Sequence, residues 1–286
     1  MDFKTLIDVA ALKPLIGTPA VAVLDCRFDL AAPDAGRQAY LAAHIPTARY
    51  ADLNRDLSAP VTSSSGRHPL PSPERIAARL GELGVGRDMQ VIAYDEASGG
   101  FAARAWWLLR WLGHAKAAVL DGGFKAWLAG GGALESGEPP AGAPSPGQVR
   151  FTPRLDPHAV LSTAELIEAL ADPRHMLVDA RAAERFAGTV EPLDPVAGHI
   201  PGAVNHPFTA NLSADGTFLP PAELKRRWQE RLAGKSPRDV IAMCGSGVTA
   251  CHNLLAMELA ELYGAKLYAG SWSEWIRDPE RPVARN

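Results

Sequence analysis

The sequence predicts an α/β fold made of two tandem domains, each a mostly parallel β-sheet with helices on both faces. Short apolar runs without a polar break alternate with apolar residues at helical spacing, the pattern of a parallel sheet covered on both sides. The second half of the chain also repeats the first at an offset of about 150 residues, which indicates a duplicated domain. The matching pairs are residues 23–27 with 177–181, 43–48 with 198–203, 91–95 with 240–244, and 121–127 with 269–275.

The elements expected in each copy follow from these patterns. Ser162 and Glu165 form the S-x-x-E pattern of a capping box, which opens a helix that extends to about Leu170. The other expected elements are helices over residues 75–83, 102–112 and 223–232 and strands that begin at Val91, Leu177 and Val240. Four charged residues at strand ends are expected to tie loops together by hydrogen bonds: Asp25, Arg27, Asp179 and Arg181.

Length and composition agree with two domains. At 286 residues the chain exceeds the usual size of one domain. Residues 138–157 include a stretch rich in Gly, Pro and Ala, which is typical of a surface linker. The predicted boundaries are therefore a first domain over 1–137, a linker over 138–157 and a second domain over 158–286.

The net charge and the number of cysteines limit which partners and which cellular compartment are expected. The formal net charge of −3 comes without a basic stripe, so a nucleic-acid partner is not expected. No apolar run approaches the roughly 18 residues of a membrane span, and no signal peptide is visible. The 3 cysteines, an odd number in a long chain, favour a reducing compartment. We expect a cytoplasmic protein without a membrane partner, and without metal-ligand spacing we expect no metal and no cofactor.

Cys244 is the candidate nucleophile. It follows the apolar run Val240–Met243, which predicts a buried strand, and glycines at 245 and 247 permit a tight turn after it. Apolar residues at helical spacing resume after Thr249, so the cysteine is expected to head a loop at a helix N-terminus. Loop N–H groups and the partial positive charge of such a helix end favour the thiolate form of a cysteine. Packing at a strand end is the alternative, but a core position needs no glycine loop.

The duplicated domain with one cysteine loop resembles the two-domain rhodanese family of sulfurtransferases. The loop Cys-Gly-Ser-Gly-Val-Thr at 244–249 is similar to that of the 3-mercaptopyruvate sulfurtransferase branch of this family. Thiosulfate-preferring relatives often carry basic residues just after the cysteine, and this loop has none. The segments 198–203 and 271–275 also match family signatures, and the resemblance covers nearly the whole chain.

The resemblance implies a sulfurtransferase that works through a persulfide on Cys244. The thiolate attacks the outer sulfur of a small anionic donor, 3-mercaptopyruvate or thiosulfate, and a second nucleophile then takes that sulfur. Backbone N–H groups of Gly245, Gly247, Val248 and Thr249 are expected to bind the anionic sulfur. The acceptor would be a low-molecular-weight thiol or a thioredoxin-like protein, with cyanide as a laboratory acceptor.

The resemblance also implies roles for side chains outside the loop. Arg185 matches a substrate-binding arginine of the mercaptopyruvate branch, and Arg67 is expected to supply further positive charge. A second arginine of that branch falls within residues 191–194, where this sequence has none. His68 lies where the branch has a histidine thought to work with the loop serine, here Ser246. The alternative for Arg67 and His68 is a solvated loop.

The first copy departs from this pattern at the nucleophile. Asp95 holds the place of Cys244, and a carboxylate is no sulfur nucleophile, so the first domain is expected to be non-catalytic and the second catalytic. Cys26 and Cys251 are expected to pack, and a redox role for either one stays open.

Three alternative functions stay open: a rhodanese that prefers thiosulfate, a cysteine-dependent phosphatase, and a non-catalytic binding module. The phosphatase loop, Cys-x5-Arg, clamps phosphate with its arginine, whereas position 250 here is Ala. The intact loop at Cys244 argues against a binding module without catalysis.

Overall fold

The fold is described by a computed structural model over residues 2–138 and 152–286. Most of the predicted linker, residues 139–151, lies outside the described residues. Within the described ranges, no helix combines the length and the apolar character that crossing a membrane requires.

The described residues form two compact units, and each unit draws on both halves of the chain. Unit 1 falls within Met1–Ala59, Pro71–Asp156 and Ala214–Thr217. Unit 2 falls within Pro60–Leu70, Pro157–Ser213 and Phe218–Asn286. Residues 60–70, which precede the linker in sequence, therefore belong to unit 2. The domain boundaries at 137 and 158 stay a prediction.

A parallel sheet forms the centre of unit 1. Its strands are β1 (Leu6–Ile7), β2 (Val21–Asp25), β3 (Arg49–Tyr50), β4 (Gln90–Tyr94) and β5 (Ala117–Leu120). The 5 strands lie in the order β1-β5-β4-β2-β3, and every pair is parallel. The helices are α1 (Val9–Leu12), α2 (Ala35–Ala42), α3 (Pro73–Glu82), α4 (Ala102–Trp111) and α5 (Gly123–Ala129).

Unit 2 repeats this arrangement. Its strands are β6 (Val160–Leu161), β7 (Met176–Asp179), β8 (Val204–Asn205), β9 (Val240–Met243) and β10 (Lys266–Tyr268). They pair in parallel in the order β6-β10-β9-β7-β8, which matches unit 1 strand for strand. The helices are α6 (Thr163–Leu170), α7 (Ala183–Ala187), α8 (Pro221–Leu232), α9 (Ala250–Leu259) and α10 (Ser271–Trp275). The predicted fold class and the duplication are confirmed, as is the capping box at the start of α6.

The central strands explain the apolar runs of the sequence. Every residue of β4 and of β9 is buried, because each strand lies in the middle of its sheet. A strand covered on both faces needs apolar side chains in both directions, so its sequence shows no alternation. Large aromatic side chains complete the cores, among them Trp127 in unit 1 and Trp272 and Trp275 in unit 2.

Buried ion pairs tie strand ends to the segments that follow them. Arg181 donates to Asp179 Oδ2 at 2.7 Å and to the Gly198 carbonyl at 2.8 Å, and both charged side chains are buried. Removing one partner would leave an uncompensated buried charge, which is strongly destabilising. Asp25 and Arg27 form the matching pair in unit 1. The predicted role of these four residues is confirmed.

A buried polar network joins α9 to α8 in unit 2. Asn211 lies at its centre: its Oδ1 accepts from Trp228 Nε1 at 3.1 Å, and its Nδ2 donates to Asn253 Oδ1 at 2.7 Å. His206 Nε2 lies 3.1 Å from the same Asn211 Oδ1. Burial lowers the pKa of His206 to about 4, although the hydrogen bond with Asn211 acts in the opposite direction. The folded chain therefore holds this imidazole in its neutral form.

We expect the free energy of unfolding to fall as the pH drops from 6.5, the ordinary pKa of histidine, towards about 4. In that range the unfolded chain binds a proton at His206 that the folded chain does not, so this part of the stability is complete above the range. Between pH 7 and pH 5, urea unfolding should show the wild type losing about 2 kcal/mol more than His206→Gln. His175→Gln, at a half-buried histidine of unit 2, is the control and should follow the wild type. Equal losses in wild type and His206→Gln would contradict the assignment.

Candidate active site

The segment Cys244–Thr249, here called the cysteine loop, follows the carboxyl end of β9. In chain order, β7 leads to β8 on one side of the sheet and β9 leads to β10 on the other, so the direction of progress reverses between β7 and β9. Open α/β sheets bind ligands beyond the carboxyl ends of the strands at such a reversal. The topology therefore places Cys244 where a small-molecule site is expected.

Hydrogen bonds hold the base of the cysteine loop against the start of α10. The Cys244 N–H donates to Ser271 Oγ at 3.1 Å, and the Cys244 carbonyl accepts from the Trp272 N–H at 3.0 Å. The next carbonyl, that of Gly245, accepts from the Ser273 N–H at 2.9 Å. These bonds fix the backbone that carries the thiol.

Ser271 is a site residue that the sequence analysis missed. Its φ of 55° is left-handed, a conformation that costs a residue with a side chain about 1–2 kcal/mol, and it is fully buried. The matching residue of the first copy is Gly123, with a φ of 58°. A serine in place of this glycine supplies the hydroxyl that accepts from the Cys244 N–H. The signal was present in the repeat, where a serine stands opposite a glycine.

Gly247 turns the loop back towards the sulfur. Its N–H donates to Cys244 Sγ at 3.1 Å, so one loop amide faces the thiol. Its φ is 76°, and a Cβ at this position would lie 2.3 Å from the Ala269 carbonyl oxygen. Glycine is therefore required here both by the backbone conformation and by the close approach of the neighbouring chain.

The rest of the cysteine loop leads into α9. The buried Val248 accepts the Cys251 N–H on its carbonyl at 3.0 Å, and Thr249 accepts the His252 N–H at 3.2 Å. The Cys251 thiol lies 3.3 Å from the Gly247 carbonyl oxygen and donates to it. Cys251 is thus buried and packed below the loop, as predicted.

His68 lies at the cysteine loop. Its Nδ1 is 2.7 Å from Ser246 Oγ, and both residues are only 5% exposed. The structure therefore brings these two predicted site residues together and excludes the alternative of a solvated loop for His68. Both residues belong to unit 2, to which residues 60–70 contribute.

Arg67 and Arg185 both lie beside Gly245. A Cβ built on Gly245 would be 2.9 Å from Arg67 Nη2 and 3.5 Å from both terminal nitrogens of Arg185. Two guanidinium groups thus border the loop one residue after the cysteine. Glycine at 245 leaves room for them, so positive charge lies close to the loop although the loop itself has none.

Carboxylates engage both arginines. Arg185 pairs with Glu191 at 2.7 Å and with Asp194 Oδ2 at 3.2 Å, while Asp194 Oδ1 pairs with Arg67. Glu191 also lies 3.4 Å from Arg181. Burial disfavours the ionised form of Glu191, but hydrogen bonds from Arg185 and from backbone N–H groups outweigh it and leave the pKa of Glu191 lowered. Neither carboxylate was predicted from the sequence, in which residues 191–194 stood out only for lacking an arginine.

A pocket of about 310 Å³ adjoins these groups in unit 2. Two of its lining residues also contact the cysteine loop: Arg67 borders Gly245, and the Ser273 N–H donates to the Gly245 carbonyl. Its lining combines charged and apolar side chains, which suits a small organic anion. The lining residues are Arg67, Leu193, Asp194, Pro195, Ser273, Ile276 and Arg277.

The matching loop of the first copy is built around Asp95. Its carboxylate accepts from the N–H groups of Gly99, Phe101 and Ala102 at 2.9, 2.8 and 3.2 Å. Burial raises the pKa of Asp95 against the effect of these bonds. The Asp95 carbonyl accepts from the Phe124 N–H at 2.8 Å, as the Cys244 carbonyl does from its partner in unit 2. Backbone N–H groups of this loop are therefore already hydrogen-bonded to the side chain of Asp95, its own first residue.

The remaining cysteine lies in unit 1. Cys26 is buried just after β2, and burial, together with the charge of Asp25, raises the pKa of its thiol well above the ordinary value. Across residues 2–138 and 152–286, no group of three or more His, Cys, Asp or Glu side chains is placed to hold a metal ion.

Two stretches of the chain, residues 8–130 and 162–278, match the family model described as a rhodanese-like domain. The chain belongs to the rhodanese family. It is 50% identical over 286 residues to a probable 3-mercaptopyruvate sulfurtransferase of Pseudomonas aeruginosa, with 99% of each chain covered. It is 39% identical to a putative thiosulfate sulfurtransferase, SseB, of Mycobacterium tuberculosis, over 99% of this chain and 97% of that one.

A solved structure agrees with these relatives. SseA from Escherichia coli, described with the 3-mercaptopyruvate sulfotransferases, superposes with a TM-score of 0.80 at 34% identity, over 95% of this chain and 100% of that chain. The predicted two-domain rhodanese-like fold and the predicted sulfurtransferase class are confirmed.

We expect Gly247→Ala to lower the free energy of unfolding by about 1–3 kcal/mol more than Gly234→Ala. Both glycines have left-handed φ angles, 76° and 88°, so both variants carry the same kind of backbone strain. At 247 the added methyl would also meet the Ala269 carbonyl oxygen at 2.3 Å, whereas at 234 nothing lies within 4 Å. Urea unfolding of the two variants measures the difference. Equal losses would mean that the cysteine loop is free to shift away from Ala269.

Proposed function

We propose that this protein transfers a sulfane sulfur from a small anionic donor to a thiol acceptor through a persulfide on Cys244, with 3-mercaptopyruvate as the preferred donor. The observation that carries the choice of donor is the 2.7 Å hydrogen bond between His68 Nδ1 and Ser246 Oγ, two residues from the nucleophile. When mercaptopyruvate gives up its sulfur, the leaving group is the enolate of pyruvate, which must gain a proton. When thiosulfate gives up its sulfur, the leaving group is sulfite, which needs no proton. A proton source beside the thiol therefore favours mercaptopyruvate.

In the first half-reaction, the Cys244 thiolate attacks the sulfur of mercaptopyruvate. The new S–S bond forms as the C–S bond breaks, and the electron pair of the C–S bond moves into the adjacent carbonyl to give the enolate of pyruvate. The Gly247 N–H, 3.1 Å from Sγ, places the positive end of a fixed dipole next to the reacting sulfur. The product is a persulfide whose outer sulfur came from the donor.

Ser246 and His68 deliver the proton that converts the enolate to pyruvate. A serine hydroxyl is a weak acid by itself, but a bonded imidazole can return the proton that the hydroxyl gives up. Both side chains are buried, so the surrounding atoms restrict the rotamers that they can adopt. Their assigned role is general acid catalysis during C–S cleavage.

Arg185 and Arg67 bind the carboxylate of the donor. Both border Gly245, and a guanidinium group binds a carboxylate through two parallel hydrogen bonds. The adjoining pocket of about 310 Å³ has room for a three-carbon acid. The N–H groups of Gly245, Val248 and Thr249 are proposed, with that of Gly247, to face the charged sulfur.

In the second half-reaction, an acceptor thiolate attacks the outer sulfur, and Cys244 departs as the thiolate that starts the next cycle. The proposed acceptor is a low-molecular-weight thiol or a thioredoxin-like protein. The first domain is proposed to be non-catalytic, because Asp95 stands in the place of Cys244. All three cysteines are buried thiols, which agrees with a reducing compartment, and the proposed location is the cytoplasm.

A thiosulfate sulfurtransferase is the second candidate, and the two arginines beside Gly245 favour it. They supply cations that the loop lacks, and a dianionic donor depends on cations. A phosphatase is disfavoured because α9 opens with Ala250 where the phosphate clamp needs arginine. A binding module without catalysis would not form a persulfide.

We expect Cys244→Ser to abolish sulfur transfer, because the alcohol cannot form a persulfide. Intact-mass analysis of the wild type after treatment with mercaptopyruvate should show one added sulfur atom, and peptide mapping should place it on Cys244. Cys26→Ala, at a buried thiol of unit 1, is the control and should still load sulfur. A sulfur atom found on Cys26 or Cys251 would contradict the assignment of the nucleophile.

We expect Ser246→Ala to lower kcat with mercaptopyruvate by ~10²–10⁴, the usual contribution of general acid–base catalysis. Turnover of thiosulfate should fall much less, since sulfite leaves without a proton. Steady-state kinetics with both donors measure the contrast, and His68→Gln should reproduce it. Equal losses with the two donors, or a wild type that turns over thiosulfate far better, would reject mercaptopyruvate as the preferred donor while leaving sulfur transfer intact.

A further inference from the structure

The charges nearest the cysteine loop do not simply add up to two cations. Arg67 and Arg185 both lie beside Gly245, but Asp194 shares its carboxylate between them, one oxygen for each guanidinium. The side chain of Asp194 is only 3% exposed, against 25% for Arg67 and 17% for Arg185. The carboxylate is therefore enclosed, while part of each arginine side chain remains exposed.

Asp194 differs from the other carboxylate in this cluster. Glu191 is also paired with Arg181 and accepts the N–H group of Leu193, so it holds its own segment in shape. Asp194 instead bridges the two arginines that border the loop. Arg181 is paired with Asp179 and Glu191 with Arg185, so Asp194 and Arg67 complete a balanced set of three carboxylates and three guanidinium groups. Without the charge of Asp194 this set would carry one net positive charge.

We propose that Asp194 determines the donor preference of the enzyme, because its carboxylate, shared between Arg67 and Arg185, cancels one unit of positive charge beside the cysteine loop and so favours a monoanionic donor over a dianionic one. The carboxylate of Asp194 repels a donor with one negative charge, such as mercaptopyruvate, less than it repels a dianion. Thiosulfate brings two negative charges into the same partly buried space and also meets Asp194. The inference rests on the proposed sulfur transfer and names the residue that selects between its two candidate donors.

The test compares Asp194→Asn with the wild type on both donors. The substitution keeps the shape of the side chain and removes its charge, so the cluster gains one net positive charge. Steady-state kinetics should show kcat/KM for thiosulfate rising about tenfold relative to kcat/KM for mercaptopyruvate, the order of effect of one unit charge at partly buried sites. The effect should lie mainly in KM, because the charge acts on donor binding. An unchanged ratio, or equal losses with both donors, would show that Asp194 only positions the arginines.

Two further variants separate charge from folding. Asp172→Asn removes the same charge in unit 2 from an exposed ion pair with Arg174, before the amino end of β7, and should leave the ratio unchanged. Asp194→Glu keeps the charge and should retain the preference of the wild type. A thiosulfate gain in Asp172→Asn or in Asp194→Glu would overturn the proposal.

A binding measurement tests the charge without any turnover. Sulfate, a dianion, and pyruvate, a monoanion, should each slow alkylation of Cys244 by the neutral reagent iodoacetamide. In the wild type pyruvate should protect at the lower concentration, and Asp194→Asn should shift protection towards sulfate by about tenfold. An unchanged order of protection overturns the inference even if the variant has lost activity. If neither donor loads sulfur on wild-type Cys244, the proposed function fails, and the protection assay still decides the role of Asp194.

Discussion

The site depends on the hydrogen bonds between the backbone of Cys244 and the start of α10. These bonds involve both the N–H and the carbonyl of the cysteine, so the backbone that carries the thiol is fixed on both sides of the residue. The carbonyl contact recurs between Asp95 and Phe124 in unit 1, which makes it a property of the repeated fold. The hydrogen bond that the Cys244 N–H donates to Ser271 Oγ is an addition of the second copy, and it requires a left-handed serine where the first copy has glycine.

A chain of alternating charges gives the site its cations. Each member contacts the next by an ion pair, and the chain runs from the end of β7 to the cysteine loop in the order Asp179, Arg181, Glu191, Arg185, Asp194 and Arg67. Pairing offsets the cost of burying these charges, and it also restrains the guanidinium groups before a ligand arrives. Cations held in this way stabilise an incoming anion without having to reorganise.

The sequence predicted what is local or repeated. Buried strands, the capping box at Ser162 and the two equal sheets follow from patterns within a few residues or from the duplication. The contact between His68 and Ser246 spans 178 residues, so only the family resemblance could suggest it. Ser271 and Asp194 were missed because a φ of 55° and a carboxylate shared by two arginines arise from tertiary structure. For Ser271 the repeat offers one signal, a serine opposite Gly123, whereas the sequence around Asp194 offers none.

The place of residues 60–70 in unit 2 has a consequence for how such a chain can change during evolution. Arg67 and His68 are encoded in the first half of the gene, and Cys244 in the second. A duplication normally leaves two interchangeable modules, of which one can be lost or exchanged by recombination at the linker. Here a break between the copies would leave the cysteine in one product and its histidine in the other. Losing the first copy would therefore also remove Arg67 and His68, which lie at the cysteine loop.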